Sequence, residues 1–215
     1  CWIIILIFGL EMRKLLFIVL LFLCGHAAAQ NMRSLFLEAP DSVFPLLAKS
    51  VRTELVEFAG AGMRYPLENS LGGKSVLEVL TDDYMLLRST ASSKVQVKKL
   101  PYGDSFLICV VNTLYAEAAS SRVAFFDSCW RRMDTSRLFS YPSIRDFFTP
   151  SAIGIEAPVE MCDIYLVSLL LDKDNSTMVA EYTMPAYMEK GDAEKVVPLL
   201  QKIVYRWENG MFLKE

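Results

Sequence analysis

Hydrophobic positions change their spacing three times along the 215 residues. Leu15 to Leu23 is an unbroken apolar run. Further on, Phe44, Leu47, Val51, Leu55 and Phe58 recur at steps of three and four, which is one buried face of a helix. Pro40-Asp41-Ser42 supplies its start, Pro45 is tolerable in the first turn, and Gly60 and Gly62 stop it. Ser50 could cap a second segment, giving two helices with a bend. The residues before it, Arg33 to Leu37, read as a short extended lead. From Lys74 the pattern shortens, and strands are predicted at Ser75–Leu80, Tyr84–Ser89, Lys94–Leu100, Phe106–Thr113 and Arg122–Phe126.

The breaks between these strands carry turn residues: Asp82-Asp83, Ser92-Ser93 and Pro101-Tyr102-Gly103-Asp104. Connections this short join antiparallel neighbours, because a parallel crossover needs about a dozen residues. A proline-punctuated connector follows from Ser140 to Pro158, with a short helix predicted at Ser143–Phe148. Two more strands, Cys162–Leu171 and Thr177–Met184, flank the polar turn Asp172 to Ser176. A closing helix is predicted from about Asp192, burying Val196, Leu200, Ile203 and Trp207. The expectation is one α+β domain over residues 30–215. It has an antiparallel meander sheet of about seven strands, with N- and C-terminal helices packed on one face. Val43 to Val51 and Val196 to Val204 share six of nine residues, either a partial duplication or chance agreement between amphipathic helices.

The apolar run at the start has the form of an export signal. Met12-Arg13-Lys14 is its basic end, Leu15 to Leu23 its core, and Ala27-Ala28-Ala29 its small-residue cleavage site. Residues 1–29 are therefore read as an upstream over-call of the frame plus a signal peptide, with Gln30 first in the mature chain. Glu11, Arg13 and Lys14 split the region into pieces too short for a span of about 20 apolar residues, so no transmembrane span is expected in the mature chain. A lipoprotein anchored through Cys24 is the alternative, against which stands Leu23 in place of a small residue. Without the leader the apolar fraction drops from 53% to roughly half, ordinary for a soluble domain.

Removing the leader also removes His26, the chain's one histidine. Histidine-dependent nucleophilic catalysis and histidine-ligated metals then lack their imidazole. Taking away Arg13, Lys14 and Glu11 leaves 20 basic and 24 acidic residues with no basic block, so nucleic acid is not an expected partner. Cys109, Cys129 and Cys162 remain, either buried and unpaired or with two of them joined in a disulfide. Their scatter gives no zinc spacing. Leu71-Gly-Gly-Lys-Ser75 resembles part of a phosphate loop, but Glu68 stands where the first glycine belongs and a β-pattern follows. Asp172, Asp174 and Ser176 imitate the start of a calcium loop, but Thr177 and Thr183 occupy the required glycine and glutamate positions. No cofactor and no metal site is expected.

Two groups of residues are left to carry chemistry. Paired carboxylates alone can hydrolyse a glycoside when held roughly 5 to 10 Å apart. The acids in or beside strands are Asp82, Asp83, Asp127, Asp163 and Glu181. In Asp127-Ser-Cys-Trp130-Arg131-Arg132 an aromatic meets two guanidinium groups, residue types that anchor binding surfaces. Trp130, Arg131 and Arg132 are thus the candidate partner contact, with a core-filling Trp130 as the plain reading.

Five stretches, taken together, are more specific than any one motif: Phe36-Leu-Glu-Ala-Pro-Asp-Ser-Val-Phe-Pro-Leu-Leu47, Leu71-Gly-Gly-Lys-Ser75, Leu80-Thr-Asp-Asp-Tyr84, Leu107-Ile-Cys-Val-Val-Asn-Thr113 and Phe125-Phe-Asp-Ser-Cys-Trp130. In this order they resemble the domain-of-unknown-function family numbered 3256, exported proteins of Bacteroidales. The resemblance implies a Gram-negative envelope location and carries over no catalytic residues. The leading expectation is a non-catalytic exported protein, in the periplasm or at the cell surface, that binds another envelope component, protein or glycan. The alternative is a metal-independent hydrolase that acts on glycans through two carboxylates.

Overall fold

A computed structural model describes residues 30–150 and 164–215. His26, the cleavage site at Ala29, Cys162 and Asp163 lie outside the described residues. The chain runs α1 (Met32–Glu38), α2 (Lys49–Gly60), β1 (Leu67–Glu68), β2 (Lys74–Leu80), β3 (Tyr84–Thr90), β4 (Ser93–Tyr102), β5 (Ser105–Tyr115) and β6 (Ala119–Phe126). After two single 3-10 turns come β7 (Val167–Leu171), β8 (Thr177–Tyr182), α3 (Lys190–Val196), β9 (Ile203–Glu208) and β10 (Met211–Lys214). Strands β1 to β6 form one antiparallel meander in sequence order, and a second sheet has the order β10-β9-β8-β7. The α+β class and antiparallel pairing are as predicted, but the strands divide between two stacked sheets.

Strand β5 shows how the layers are held. Phe106, Ile108 and Val110 join a core with α1, α2 and Trp130, whereas Leu107, Cys109 and Val111 join another with the second sheet. Successive side chains in a strand point to opposite faces. A strand covered on both sides must therefore be apolar throughout, and Phe106 to Val111 is the continuous run that satisfies this. The six-stranded sheet is the middle layer of three. Burial of each large side chain in these cores contributes about 1.5–3 kcal/mol relative to leaving it in water.

Polar residues also link the two sheets. Gln96 donates to the Tyr84 hydroxyl (2.9 Å) and to the Leu171 carbonyl (3.2 Å). Lys98, with a side chain 2% exposed, donates to the Lys173 carbonyl and pairs with Asp83, each at 2.9 Å. The Ser121 hydroxyl takes the Leu169 N–H at 2.9 Å. A buried donor or acceptor without a partner is costly, so these contacts favour one register of sheet on sheet.

Three predicted elements are corrected. Arg33 to Leu37 is helical, not extended: the Asn31 side chain accepts the Ser34 N–H at 3.0 Å, and Met32, Leu35 and Phe36 turn inward. The next helix begins at Lys49, because Pro45 disfavours helical backbone at Phe44 and lacks an N–H. Phe44 and Leu47 are buried from turns instead, and the helix buries Arg52, Leu55 and Val56. The predicted C-terminal helix ends at Val196, before Pro198, and a β-hairpin replaces its remainder. Ile203, Tyr205 and Trp207 alternate inward, and Asn209 and Gly210 (φ 51° and 82°) form the two-residue turn. The similar segments at Val43 and Val196 thus adopt different structures, turn-then-helix against turn-then-strand.

Candidate clefts and the placement of the candidate residues

The described candidate acids hold separate positions. Asp82 and Asp83 occupy the β2–β3 turn, where Asp83 pairs with Lys98. Burial raises the Asp83 carboxyl, but the Lys98 hydrogen bond and charge, with the Thr81 hydroxyl, outweigh it and hold the group below its ordinary value. The Asp127 carboxylate accepts the N–H groups of Cys129 (2.8 Å) and Arg131 (2.9 Å), closing the turn after β6. Glu181 pairs with Lys202 at 3.1 Å on the second sheet.

The turn held by Asp127 separates the aromatic from its two arginines. Trp130 has φ 61°, unusual for a bulky residue. It is 9% exposed and packs against Phe126 and Phe44, with its indole N–H on the Leu35 carbonyl at 3.2 Å. Its burial offsets the backbone cost. Arg131 and Arg132 point outward, and the Arg131 side chain is 81% exposed. Cys109 is free and buried, its thiol pushed up by that burial, whereas Cys129 is free and exposed.

The two imitation motifs are turns. Asn69 accepts the N–H groups of Leu71 and Gly73 where the chain enters β2. The Asp172 carboxylate accepts the N–H groups of Asp174 and Asn175 at the β7–β8 hairpin tip. In the first, Asn69 takes backbone donors that a phosphate would need; in the second, backbone donors engage an Asp172 oxygen that a cation would need.

Two clefts flank the second sheet. One, of about 380 Å³, is lined by Glu117, Ala119, Tyr182, Thr183, Val197 and Lys202, with Glu181 also on its wall. It brings one predicted acid beside one that was missed. Glu117 lies in the β5–β6 turn, where an exposed acid carries no distinguishing signal in sequence.

The other cleft, of about 430 Å³, lies between residues 136–142 and β10. Phe139 forms its floor, with ring centroids 5.0 Å from Tyr205 and 4.9 Å from Tyr141. Three phenols fasten the segment. Tyr165 donates to the Pro142 carbonyl (2.8 Å), Tyr205 to the Ser140 carbonyl (3.4 Å), and the Tyr141 hydroxyl accepts the Val123 N–H (3.0 Å). Burial raises Tyr165 and Tyr205 to about 12, reinforced for both by the negative charge of Asp146. Asp146 itself lies below its ordinary value, held first by the Lys214 hydrogen bond and then by Ser143. Arg137, Asp146 and Lys214 also line the cleft, and Tyr141 remains 43% exposed. These positions were missed because their residues meet only after β9 and β10 fold beside the connector.

Among the described residues there is no group of three or more metal-ligating side chains, and no helix is long and apolar enough to cross a membrane. No curated protein matches the chain. A solved structure of a domain of an uncharacterized protein from Porphyromonas gingivalis W83 is similar, with 25% sequence identity and a TM-score of 0.75. The similarity covers 86% of this chain and 98% of that one. The profile of the family described as Protein of unknown function (DUF3256) matches residues 25–212, and this chain belongs to that family.

Proposed function

We propose that this protein is an exported, non-catalytic binding module of the Gram-negative envelope, in the periplasm or at the cell surface, that holds an envelope protein or glycan. The single observation carrying the binding role is the aromatic cleft between residues 136–142 and β10. Its floor and wall are fastened by three phenol hydrogen bonds, and Arg137, Asp146 and Lys214 add charged groups to its lining. A rigid site loses little freedom when it binds, and Tyr offers large contact area with few rotatable bonds. The basic, apolar and small-residue order of Met12 to Ala29 supports export.

The test joins secretion to retention. The chain is expressed from Met12 in a Gram-negative host, and the fractionated product is sequenced from its N-terminus. Recovery outside the cytoplasm with Gln30 first is expected; an uncleaved cytoplasmic product removes the export reading. The product is then applied to a glycan array and cross-linked to envelope extract, beside its Tyr141→Ala variant. Specific retention that Tyr141→Ala abolishes is expected, whereas equal retention of both removes the cleft as the site.

A second reading has one observation in its favour: Glu117 and Glu181 line the same cleft. A metal-independent glycan hydrolase would use such a pair. Release of new reducing ends from a peptidoglycan or capsule digest, lost in Glu181→Gln, would establish it in place of the binding module.

A further inference from the structure

The tyrosine cleft runs beside an incompletely paired sheet edge. Strand β10 pairs with β9 through Met211↔Glu208, Phe212↔Trp207, Leu213↔Arg206 and Lys214↔Tyr205. The Phe212 N–H turns away from β9 and donates to the Leu138 carbonyl at 2.8 Å. N–H groups two residues apart in a strand point the same way, so the Lys214 N–H also faces away from β9. Among the described residues it meets no acceptor, and the Phe212 carbonyl meets no donor. The other outer strand of this sheet is closed differently. On β7 the Leu169 N–H is taken by Ser121 of the neighbouring sheet. One half-edge of β10 therefore presents a carbonyl and an N–H at the spacing that an added strand uses. Open edges of this kind are templates for pairing and are usually blunted or covered.

The same cleft fits what an added strand carries besides its backbone. Residues 211–214 form one of its sides. A side chain pointing inward from a strand beside Lys214 would face the exposed ring of Tyr141. Met211 and Leu213, 39% and 40% exposed, offer apolar surface on the opposite face of β10. The Lys214–Asp146 pair, 2.8 Å apart, sets a charged boundary, since Lys214 is held there rather than reaching across the edge. A sugar could stack on Tyr141 and offer hydroxyls, but an extended peptide alone presents an N–H and a carbonyl at the fixed repeat of the outward-facing backbone pair of Phe212 and Lys214.

We propose that the occupant is an extended peptide segment of a partner protein that adds as a strand to β10. It donates an N–H to the Phe212 carbonyl, accepts the Lys214 N–H, and seats an apolar or aromatic side chain on Tyr141. Main-chain bonds then supply attachment and the aromatic cleft supplies selectivity, as in other strand-addition sites. This rests on the binding-module reading and names its partner class.

The test uses the exported protein as bait for a displayed library of random 12-residue peptides. Enrichment of peptides with an apolar or aromatic residue amid β-formers is expected. Affinity for the best synthetic peptide is measured for the wild type, Lys214→Ala and Lys214→Pro. Alanine removes the side chain but keeps the backbone donor, whereas proline removes both and should bind about tenfold or more weakly than alanine, the scale of a lost hydrogen bond with its neighbour disturbed. Hydrogen exchange on the wild type gives a measurement independent of whether the proline variant folds. Peptide binding should slow exchange of the Lys214 amide.

No enriched peptide, equal weakening by alanine and proline, or unchanged exchange at Lys214 would each overturn the strand-addition proposal. Glycan retention that Tyr141→Ala abolishes, with no peptide selected, would overturn this inference while leaving the binding module intact. Glycan hydrolysis lost in Glu181→Gln would overturn the binding module itself.

Discussion

The Asp83–Lys98 pair gives the sharpest test of how the two sheets are held together. Its partners are unequal: the Lys98 side chain is 2% exposed and that of Asp83 is 50% exposed. At 2.9 Å and an effective dielectric near 20 their attraction would be about 6 kcal/mol. Solvent around the half-exposed carboxylate reduces this considerably. Asp83→Asn leaves a desolvated cation whose remaining contacts are the Lys173 carbonyl at 2.9 Å and the Tyr84 ring 5.9 Å away. Stripping one partner from a fully buried pair costs about 3–5 kcal/mol, so about 2–3 kcal/mol is expected here. Lys98→Met removes the desolvation penalty with the attraction and lets Asp83 hydrate, so about 0–1 kcal/mol is expected.

Urea unfolding at pH 7 reads both variants, with an unchanged slope showing that only stability has moved. Because the folded Asp83 carboxyl is lowered, its contribution is fully present above the unfolded value near 3.8 and disappears as pH falls through the folded value. The gap between wild type and Asp83→Asn should therefore close in strong acid. A Lys98→Met variant as damaged as Asp83→Asn, or a gap that does not narrow at all as the solution is acidified, would refute this account of the pair.

Gly210→Ala should destabilise more than Gly62→Ala in thermal melts. Both have positive φ, but a Cβ at Gly210 would lie 2.8 Å from the Tyr102 ring, whereas nothing lies within 4 Å at Gly62. Expected costs are about 2–3 and about 1 kcal/mol. Trp130→Ala should cost about 3–5 kcal/mol through a core cavity, whereas Arg131→Ala should leave the urea midpoint in place. Ultraviolet titration of native protein should show two phenols ionising near 12, Tyr165 and Tyr205. Their raised values contribute stability that is intact below pH 10 and is lost as pH rises through 12, so the fall in stability at alkaline pH should be smaller in Tyr205→Phe, which has no phenol to ionise. Brief thiol labelling of native protein should modify Cys129 and spare Cys109 until urea is added.

Local pattern made the meander legible. The turn chemistry at Asp82-Asp83, Ser92-Ser93 and Pro101 to Asp104 sits between strands too closely spaced for any crossover, and β2 to β6 follow it. The C-terminal hairpin was also written locally, in Asn209-Gly210, but the helical steps of Val196, Leu200, Ile203 and Trp207 obscured the alternation of Ile203, Tyr205 and Trp207. Asn31 with Ser34 likewise marked a helix start that a search for extended residues passes over. A short apolar segment satisfies both periods, and the proline and cap within it decide between them.

The candidate site was much less legible. Asp127 and Trp130 are close in sequence, yet one closes a turn and the other fills a core, because the backbone at φ 61° sends the indole inward. The tyrosine cleft joins residues near 140, 165, 205 and 212, whose spacing shows no pattern. The sequence by itself determined the antiparallel class, the short turns and the doubly apolar β5, since these follow from interactions within a few residues or one strand's alternation. Only the tertiary structure decided that a second sheet covers the first, that Lys98 is buried, and that the Tyr141 cleft lies beside β10. Those features depend on which distant surfaces exclude water from one another, and local periodicity carries no information about that.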